Sequence, residues 1–242
     1  MRLSKDIIRF LNERPFTVLF SGGKDSLASL LWVLDNVRHD RWNILYIEIT
    51  GNTHPLCNEY VHHICEELGI ASKLIHVKRD ADFFDYLRRY GIPLIGKYRW
   101  CLWQFKIKVM SPHSYVTQVS GIKRSDSHRR RNINMVEYFR LGGYVTVNPL
   151  IEWTDDDVMD YIRGHGIQIN PCYRIYGHSG NCMFCPYHSR YKIIRTLQDP
   201  YWRSKIIPAL RECRAPRSAK MREIRDLWLR MAKQTSLMRY LQ

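Results

Sequence analysis

The sequence lacks any apolar run that approaches the roughly 20 residues of a membrane-spanning helix. Its opening segment, MRLSKDIIRFLNERPF, lacks the uninterrupted apolar core of a secretion signal and is typical of an amphipathic helix. No internal repeat or low-complexity segment interrupts the 242 residues. These absences argue against a membrane partner and against a repeat architecture, so we expect a globular protein in the cytoplasm.

Acidic residues are scarce relative to basic ones. Thirty-eight Lys and Arg stand against 23 Asp and Glu, which gives a net charge of +15. Residues 186–242 alone contain 14 basic and four acidic residues, with Trp and Tyr interleaved, and a second cluster, KRSDSHRRR, spans 123–131. The excess favours a polyanionic partner such as RNA or DNA, although solubility alone can also select charge. For Arg129 to Arg131 the sequence does not separate a nucleic-acid patch from a solvated face.

The chain has seven cysteines, an odd number, and it shows no secretion signal, so a disulfide framework is not expected. Cys182 and Cys185 form a CxxC pair, Cys172 precedes it by ten residues, and 80 residues separate Cys101 from it. Thiolates at CxxC spacing chelate zinc or an iron–sulfur cluster, or form a redox pair. His178 and His188 add the alternative of a Cys/His zinc site. Cys57 and Cys65 are expected to be small buried residues of a helix.

Strand-like and helix-like patterns alternate over the first 150 residues. This alternation predicts an α/β fold, doubly wound, with a mainly parallel sheet. The five strand candidates are 16–20, 43–49, 72–77, 114–120 and 144–149. From residue 150 the pattern changes to a helix that Thr154 would cap, a cysteine-rich loop at 170–186 and basic helices. We therefore expect a nucleotide-binding domain over 1–185, including that loop, and a basic helical extension over 186–242.

The stretch FTVLFSGGKDSLASLLWVLDNV, residues 16–37, combines a buried strand, a glycine turn and a helix. At a strand-to-helix turn, free N–H groups and the helix dipole converge on one point, which suits an anion. The spacing fits neither a Walker A loop nor GxGxxG. Asp25 is unusual in an anion site and indicates Mg²⁺ accompanying phosphates. The candidate phosphate-binding residues are Ser21, Gly22, Gly23, Lys24, Asp25 and Ser26.

The SGGKDS motif resembles the pyrophosphate-binding loop of the ATP pyrophosphatase (PP-loop) superfamily. Further segments resemble its sulfonucleotide (PAPS) reductase branch and follow in the same order along the chain. These segments are IEITGNTHPLCNEYV (47–61), YRWC (98–101), GIKRSDSHRR (121–130), NPLIEWTDDDVMDYI (148–162) and NPCYRIYGHSGNCMFCP (170–186).

The resemblance implies an adenine nucleotide alpha hydrolase-like fold with a five-stranded sheet. It also implies ATP at the carboxyl ends of the strands, with its phosphates on residues 21–26. Gly121, Lys123 and Arg124 would face the same phosphates from the fourth strand. The catalytic residues implied are Lys24, Asp25, Lys123 and Arg124.

The resemblance also bears on the cysteines. Iron–sulfur members of the family hold a 4Fe–4S cluster with a tandem Cys-Cys followed by a distant CxxC. Here Leu102 replaces the second tandem cysteine, and Cys172 could supply the fourth ligand, a pattern that resembles the sulfur-transfer enzymes of DNA phosphorothioation. The implied metal ligands are Cys101, Cys172, Cys182 and Cys185, with zinc as the alternative.

The function implied is adenylation of a substrate with release of pyrophosphate, for sulfur transfer to tRNA or DNA from a sulfur donor protein. ATP-cleaving members keep the Lys-Asp pair of SGGKDS, whereas the reductases tend to lose it. A PAPS or APS reductase is a second possibility, with Cys213 as nucleophile, but Glu212-Cys213-Arg214 lacks the glycine of the reductases' ECG segment. The sequence is also compatible with an adenylyltransferase similar to FAD synthetase, and with a nucleic-acid-binding module that has a degenerate nucleotide fold.

Overall fold

The computed structural model describes residues 2–94, 98–139 and 142–240. Its strands form one mostly parallel sheet in the order β3-β2-β1-β4-β6-β5. The strands are β1 (Phe16–Leu19), β2 (Trp42–Glu48), β3 (Leu74–Lys78), β4 (Thr117–Val119), β5 (Val136–Phe139) and β6 (Tyr144–Val147). The α/β class is confirmed, but the sheet has six strands and not the five predicted.

The additional strand is β5, which pairs antiparallel with β6 through contacts such as Tyr138 with Val145. It lies at the sheet edge, and Val136, Tyr138 and Phe139 are all exposed. An exposed edge strand of four residues shows neither the continuous apolar run of a buried strand nor a clean alternation. The basic segment before it also obscures the strand in the sequence pattern.

The chain divides into two compact units. Unit 1 comprises residues 1–47, 58–77 and 109–170, and unit 2 comprises 48–57, 78–108 and 171–242. The expected boundary at 185/186 falls inside unit 2, and the predicted domain division stays a prediction. No helix in the described part of the chain is long and apolar enough to cross a membrane.

Unit 1 contains the parallel strands and the helices that pack on them. Phe16 and Val18 of β1 are buried, and β1 pairs in register with β2 and β4. The helices that lie wholly within unit 1 are α1 (Arg2–Asn12), α2 (Lys24–Asn36) and α7 (Asp155–Gly164). Helices α2 and α7 pack against each other. Residues of α3 (Pro55–Glu67) belong to both units.

Unit 2 is mainly helical. Its helices are α4 (Phe83–Tyr90), α5 (Trp100–Leu102), α8 (Cys172–Tyr176), α9 (Arg190–Gln198), α10 (Pro200–Glu212) and α11 (Ala219–Tyr240). A π-helical turn, Trp103–Ile107, follows α5 and leads into the short α6 (Lys108–Met110). Trp202 and Trp228 are fully buried, and the ring of Trp228 lies 4.9 Å from that of Phe184.

Candidate functional site

The SGGKDS loop lies between the end of β1 and the start of α2. Gly22 has a φ of 74°, a left-handed conformation that favours glycine. The hydroxyl of Ser26 donates to the carbonyl of Gly23 at 2.8 Å and accepts from the N–H of Ser21 at 3.1 Å. No side chain caps the helix at Gly23, and the N–H groups at the start of a helix suit an anion.

The loop approaches the end of β4 so closely that only glycine fits at position 121. A Cβ there would lie 2.3 Å from the carbonyl oxygen of Asp25 and 2.8 Å from the amide nitrogen of Ser26. Both are main-chain atoms, which cannot move aside as a flexible side chain can. From a third segment, the buried side chain of Asn170 donates to the carbonyl of Gly22 at 3.1 Å. The loop is therefore held by contacts distant in sequence.

Two lysines and three aspartates surround the start of α2. The Nζ of Lys123, with a fully buried side chain, lies 2.9 Å from carboxylate oxygens of both Asp126 and Asp155 and also contacts Asp25. The Nζ of Lys24 lies 2.9 Å from Asp25 and 2.6 Å from Asp155. We call these five residues the lysine–aspartate cluster. The structure thus places Lys24, Asp25 and Lys123 together.

The charges of this cluster stabilise each other. Hydrogen bonds from Lys24 and Lys123 lower the pKa of Asp155 to about 2. Burial by itself lowers the pKa of Lys123, but hydrogen bonds to Asp25, Asp126 and Asp155 outweigh it and raise that pKa above its ordinary value. At neutral pH Lys123 is therefore a buried cation and Asp155 an anion.

Carboxylate oxygens of Asp25, Asp126 and Asp155 all lie within 4.8 Å of one another. Sequence reasoning anticipated only Asp25 at this place. Asp155 is the first residue of α7, and its contact with Lys24 spans 131 residues. The sequence feature that could have indicated Asp126 is its position in GIKRSDS, three residues after Lys123.

The side chain of Arg124 was expected to face the phosphates, but it is not part of the lysine–aspartate cluster and pairs with Glu152 instead. Its guanidinium contacts the carboxylate of Glu152 and donates to the carbonyl of Ile133 at 3.0 Å. Its main-chain N–H donates to the carbonyl of Ile151 at 2.9 Å. Of the two neighbouring cations, the structure brings Lys123 to the loop and pairs Arg124 with Glu152.

The predicted metal ligands all lie in unit 2, and none of the seven cysteines forms a disulfide. Burial raises the pKa of the Cys101, Cys182 and Cys185 thiols, that of Cys185 to about 12. The negative charge of Cys182 raises the pKa of Cys101 further, and both raise that of Cys185. The charges of these three thiols therefore influence one another.

Two basic residues act on the same thiols. The positive charges of Arg99 and Lys106 lower the pKa of both Cys101 and Cys182, although burial outweighs them. Cys172 is buried, and its Sγ would lie 2.8 Å from a Cβ at Gly180, two residues before Cys182. The thiol of the buried Cys213 donates to the carbonyl of Leu210 at 3.2 Å, and burial raises its pKa.

A mostly parallel sheet, with a glycine loop after β1 and lysines at that loop, is typical of α/β proteins that bind phosphate-containing ligands at the carboxyl ends of their strands. The chain belongs to the phosphoadenosine phosphosulfate reductase domain family, whose model matches residues 15–186.

Among curated proteins, an adenosine 5'-phosphosulfate reductase of Mycolicibacterium smegmatis is 37% identical over 57 residues, which is 24% of each chain. The chain thus spans about a quarter of the length of this relative. Among solved structures, a PAPS reductase of Candida auris aligns with a TM-score of 0.48 at 15% identity, over 71% of this chain and 83% of that one. A U34-tRNA thiolase of Methanococcus maripaludis with its [4Fe-4S] cluster aligns with a TM-score of 0.48 at 14% identity, over 96% and 79%.

Proposed function

We propose that the protein is an ATP-dependent enzyme that adenylates a substrate and releases pyrophosphate. The observation that carries this proposal is the lysine–aspartate cluster at the start of α2. Lys24 and Lys123 supply positive charge for phosphates, and Asp25, Asp126 and Asp155 supply oxygen ligands for the accompanying ion.

The donor set at the cluster fits Mg²⁺. Magnesium prefers carboxylate and water oxygens and is usually held by one or two carboxylates together with substrate phosphates. Oxygens of Asp25, Asp126 and Asp155 are close enough to one another to share one ion. These residues would hold Mg²⁺, which neutralises charge on the phosphates when bound.

The remaining roles follow from position. The N–H groups and hydroxyls of residues 21–26 bind the β and γ phosphates of ATP, and Gly121 leaves room for the loop. A substrate oxygen attacks the α-phosphorus, the bond to the bridging oxygen breaks, and pyrophosphate leaves. Lys24 and Lys123 stabilise the charge on the separating groups. Arg124 would have to leave Glu152 to share this role, so we assign it to Lys123.

We further propose that Cys101, Cys182 and Cys185, with Cys172 as the fourth ligand, hold a 4Fe–4S cluster. The donor set is chemically suitable, because all four are thiols, and soft thiolates bind both iron–sulfur clusters and zinc. We prefer the cluster because the motif resembles that of the iron–sulfur members of the family. When bound, it would supply a site for sulfur.

The proposed sulfur acceptor is a nucleic acid, tRNA or DNA, bound by the basic helices α9 to α11 of unit 2. Tyr191 and Tyr201 are exposed there, as is Tyr187 just before α9, and the ammonium group of Lys205 lies 5.8 Å from the ring of Tyr201. Exposed aromatic rings among basic side chains are typical of single-stranded nucleic-acid binding. Adenylation makes the replaced oxygen a good leaving group for sulfur, which a sulfur donor protein would supply.

The test follows pyrophosphate release with ATP, Mg²⁺ and candidate tRNA or DNA. We expect Asp25→Ala and Lys123→Met to abolish release, and Asp155→Asn to lower it at least tenfold. Asp156→Asn is the matched control, because Asp156 is exposed in the same helical turn. A protein that binds ATP and releases no pyrophosphate with any acceptor contradicts the proposal.

The similarity to adenosine 5'-phosphosulfate reductases supports a second candidate, reduction of APS or PAPS to sulfite. That reaction requires Cys213 as an exposed thiolate, whereas its thiol is buried and its pKa is raised. Sulfite formation that depends on thioredoxin and disappears in Cys213→Ser would establish this function in place of adenylation.

A further inference from the structure

Unit 2 contains an aromatic pocket beside the first cysteine of the proposed cluster. It has a volume of about 340 Å³ and is lined by Tyr90, Tyr98, Arg99, Trp100 and Trp103. That volume lies within the roughly 300–1,000 Å³ of small-ligand sites. Four of the five lining residues are aromatic, so the pocket offers flat apolar surfaces on several sides.

The inner wall of the pocket is fixed in place. The indole N–H of Trp100 donates to the carbonyl of Gly91 at 2.9 Å, and its ring lies 5.1 Å from that of Phe83 and 6.5 Å from that of Tyr90. The outer wall includes Trp103, whose exposed fraction is 42%. A planar ligand could therefore stack on rings that are already ordered, with one exposed indole free to cover it.

The charge around the pocket is positive. Arg99 is exposed, the guanidinium of Arg217 lies 4.7 Å from the ring of Tyr98, and Lys106 follows within the π-helical turn. None of the five lining residues is a carboxylate. An aromatic cage for a cationic ligand would gain from negative charge, whereas these groups favour a planar ligand that carries phosphate.

The pocket shares a helical turn with Cys101. Trp100 and Cys101 belong to α5, and Trp103 opens the π-helical turn that follows it. Such π-helical turns within helices occur frequently at functional sites. A ligand in the pocket would thus contact the helical turn that carries Cys101.

We propose that this pocket binds one unstacked base of a single-stranded nucleic acid. The base stacks on Trp100 and Trp103, and its flanking phosphates contact Arg99. Bases of RNA and DNA both have the required π face, so the pocket itself selects unpaired over paired bases. The inference rests on the proposed function, because it places the nucleic-acid acceptor next to the cysteines.

The test measures fluorescence anisotropy of labelled 12-nucleotide single strands, RNA and DNA, without ATP. A fully abasic DNA strand of equal length measures phosphate attraction alone. We expect wild-type protein to bind the strands with bases about tenfold more tightly than the abasic strand. Trp103→Ala should lose most of this preference and Trp103→Phe should keep most of it. Tyr138→Ala, which removes an exposed ring of unit 1, serves as the control and should keep it fully.

Equal affinity of the wild-type protein for abasic and normal strands overturns the proposal. An undiminished preference in Trp103→Ala also overturns it, as does the absence of any binding to single strands. Circular dichroism establishes that each variant is folded. Because the assay contains no ATP, base-dependent binding without pyrophosphate release would contradict only the adenylation, and the reverse result would contradict only the pocket.

Discussion

Gly121 shows how one hydrogen in place of a methyl group sets the shape of the anion loop. Because a Cβ would meet main-chain atoms of Asp25 and Ser26, Gly121→Ala must displace the loop or the end of β4. Overpacking of this kind costs about 1–3 kcal/mol. We expect ATP affinity, measured by calorimetry, to fall roughly tenfold or more.

The control for this substitution is Gly164→Ala. A Cβ at Gly164, in the last turn of α7, meets no atom within 4 Å. Alanine also favours helix by up to about 1 kcal/mol over glycine. This variant should keep wild-type ATP affinity and unfold at an equal or higher temperature. Equal ATP affinity in the two variants would show that the close approach does not shape the nucleotide site.

Lys123 and Arg124 show which part of the candidate site could not be predicted from the sequence. The glycine loop and the basic pair after the fourth strand were both evident, because strand ends and motif spacing are local features. Which of the two cations reaches the loop depends on Asp155 and Glu152, about 30 residues further on. That choice is tertiary, and no local pattern encodes it.

At the scale of elements, the N-terminus of α7 holds an aspartate of the cluster in place. Thr154 caps the helix by accepting from the N–H of Asp157, and the Asp157 carboxylate accepts from the N–H of Thr154 at 2.8 Å. Such a capping box fixes the first helical turn, which begins at Asp155. The predicted cap at Thr154 is observed, because capping depends on residues only three apart.

Loss of this cap should weaken both α7 and the nucleotide site. We expect Thr154→Ala to lower the free energy of unfolding by about 1 kcal/mol. It should also reduce ATP affinity, because Asp155 loses its fixed position beside Lys24. Thr154→Ser retains the hydroxyl and should restore both values. Urea unfolding and calorimetry measure them, and a serine variant as weak as the alanine variant would contradict the capping argument.

The connection between α8 and α9 depends on a neutral histidine. The Nδ1 of His178 accepts from the N–H of Gly180 at 3.1 Å, and its Nε2 lies 3.2 Å from the hydroxyl of Thr196. Burial, together with the charges of Lys192 and His54, lowers its pKa to about 4. Protonation of Nδ1 would place its N–H opposite the N–H of Gly180, so two donors would face each other. This repulsion adds to the cost of burying the charge.

This histidine makes the fold sensitive to acid. Between its ordinary pKa of about 6.5 and the lowered value, the unfolded chain binds the proton more readily, so stability falls as pH falls through that window. We expect urea unfolding to lose up to about 3 kcal/mol between pH 7 and pH 4.5 on account of His178. His178→Gln should reduce that loss, whereas His128→Gln, at an exposed position, should not. Equal losses in the two variants would contradict this assignment.

At the scale of the whole molecule, the two candidate sites lie in different compact units. The lysine–aspartate cluster belongs to unit 1, and all four predicted thiol ligands belong to unit 2. Motifs in the sequence predicted both sites. They did not predict that segments 48–57 and 78–108 join the C-terminal helices, because that grouping depends on long-range packing.

Because the two candidate sites belong to different units, we expect that a substitution can remove either site and leave the other intact. Protein purified without oxygen should contain iron and sulfide, and Cys182→Ser should lose both while keeping ATP affinity. Asp25→Ala should lose ATP affinity while keeping the metal. Metal analysis and calorimetry on the same samples measure the two properties. Zinc in place of iron would contradict the 4Fe–4S assignment, and joint loss of both properties would contradict the separation.

The ion pairs that Lys123 and Lys24 make with three aspartates have one more consequence. An anion that recruits these ammonium groups must take them from carboxylates that already hold them. The carboxylates are then left uncompensated, and a divalent cation restores the balance. Anion and cation therefore bind cooperatively, and by thermodynamic reciprocity each raises the affinity of the other by the same factor.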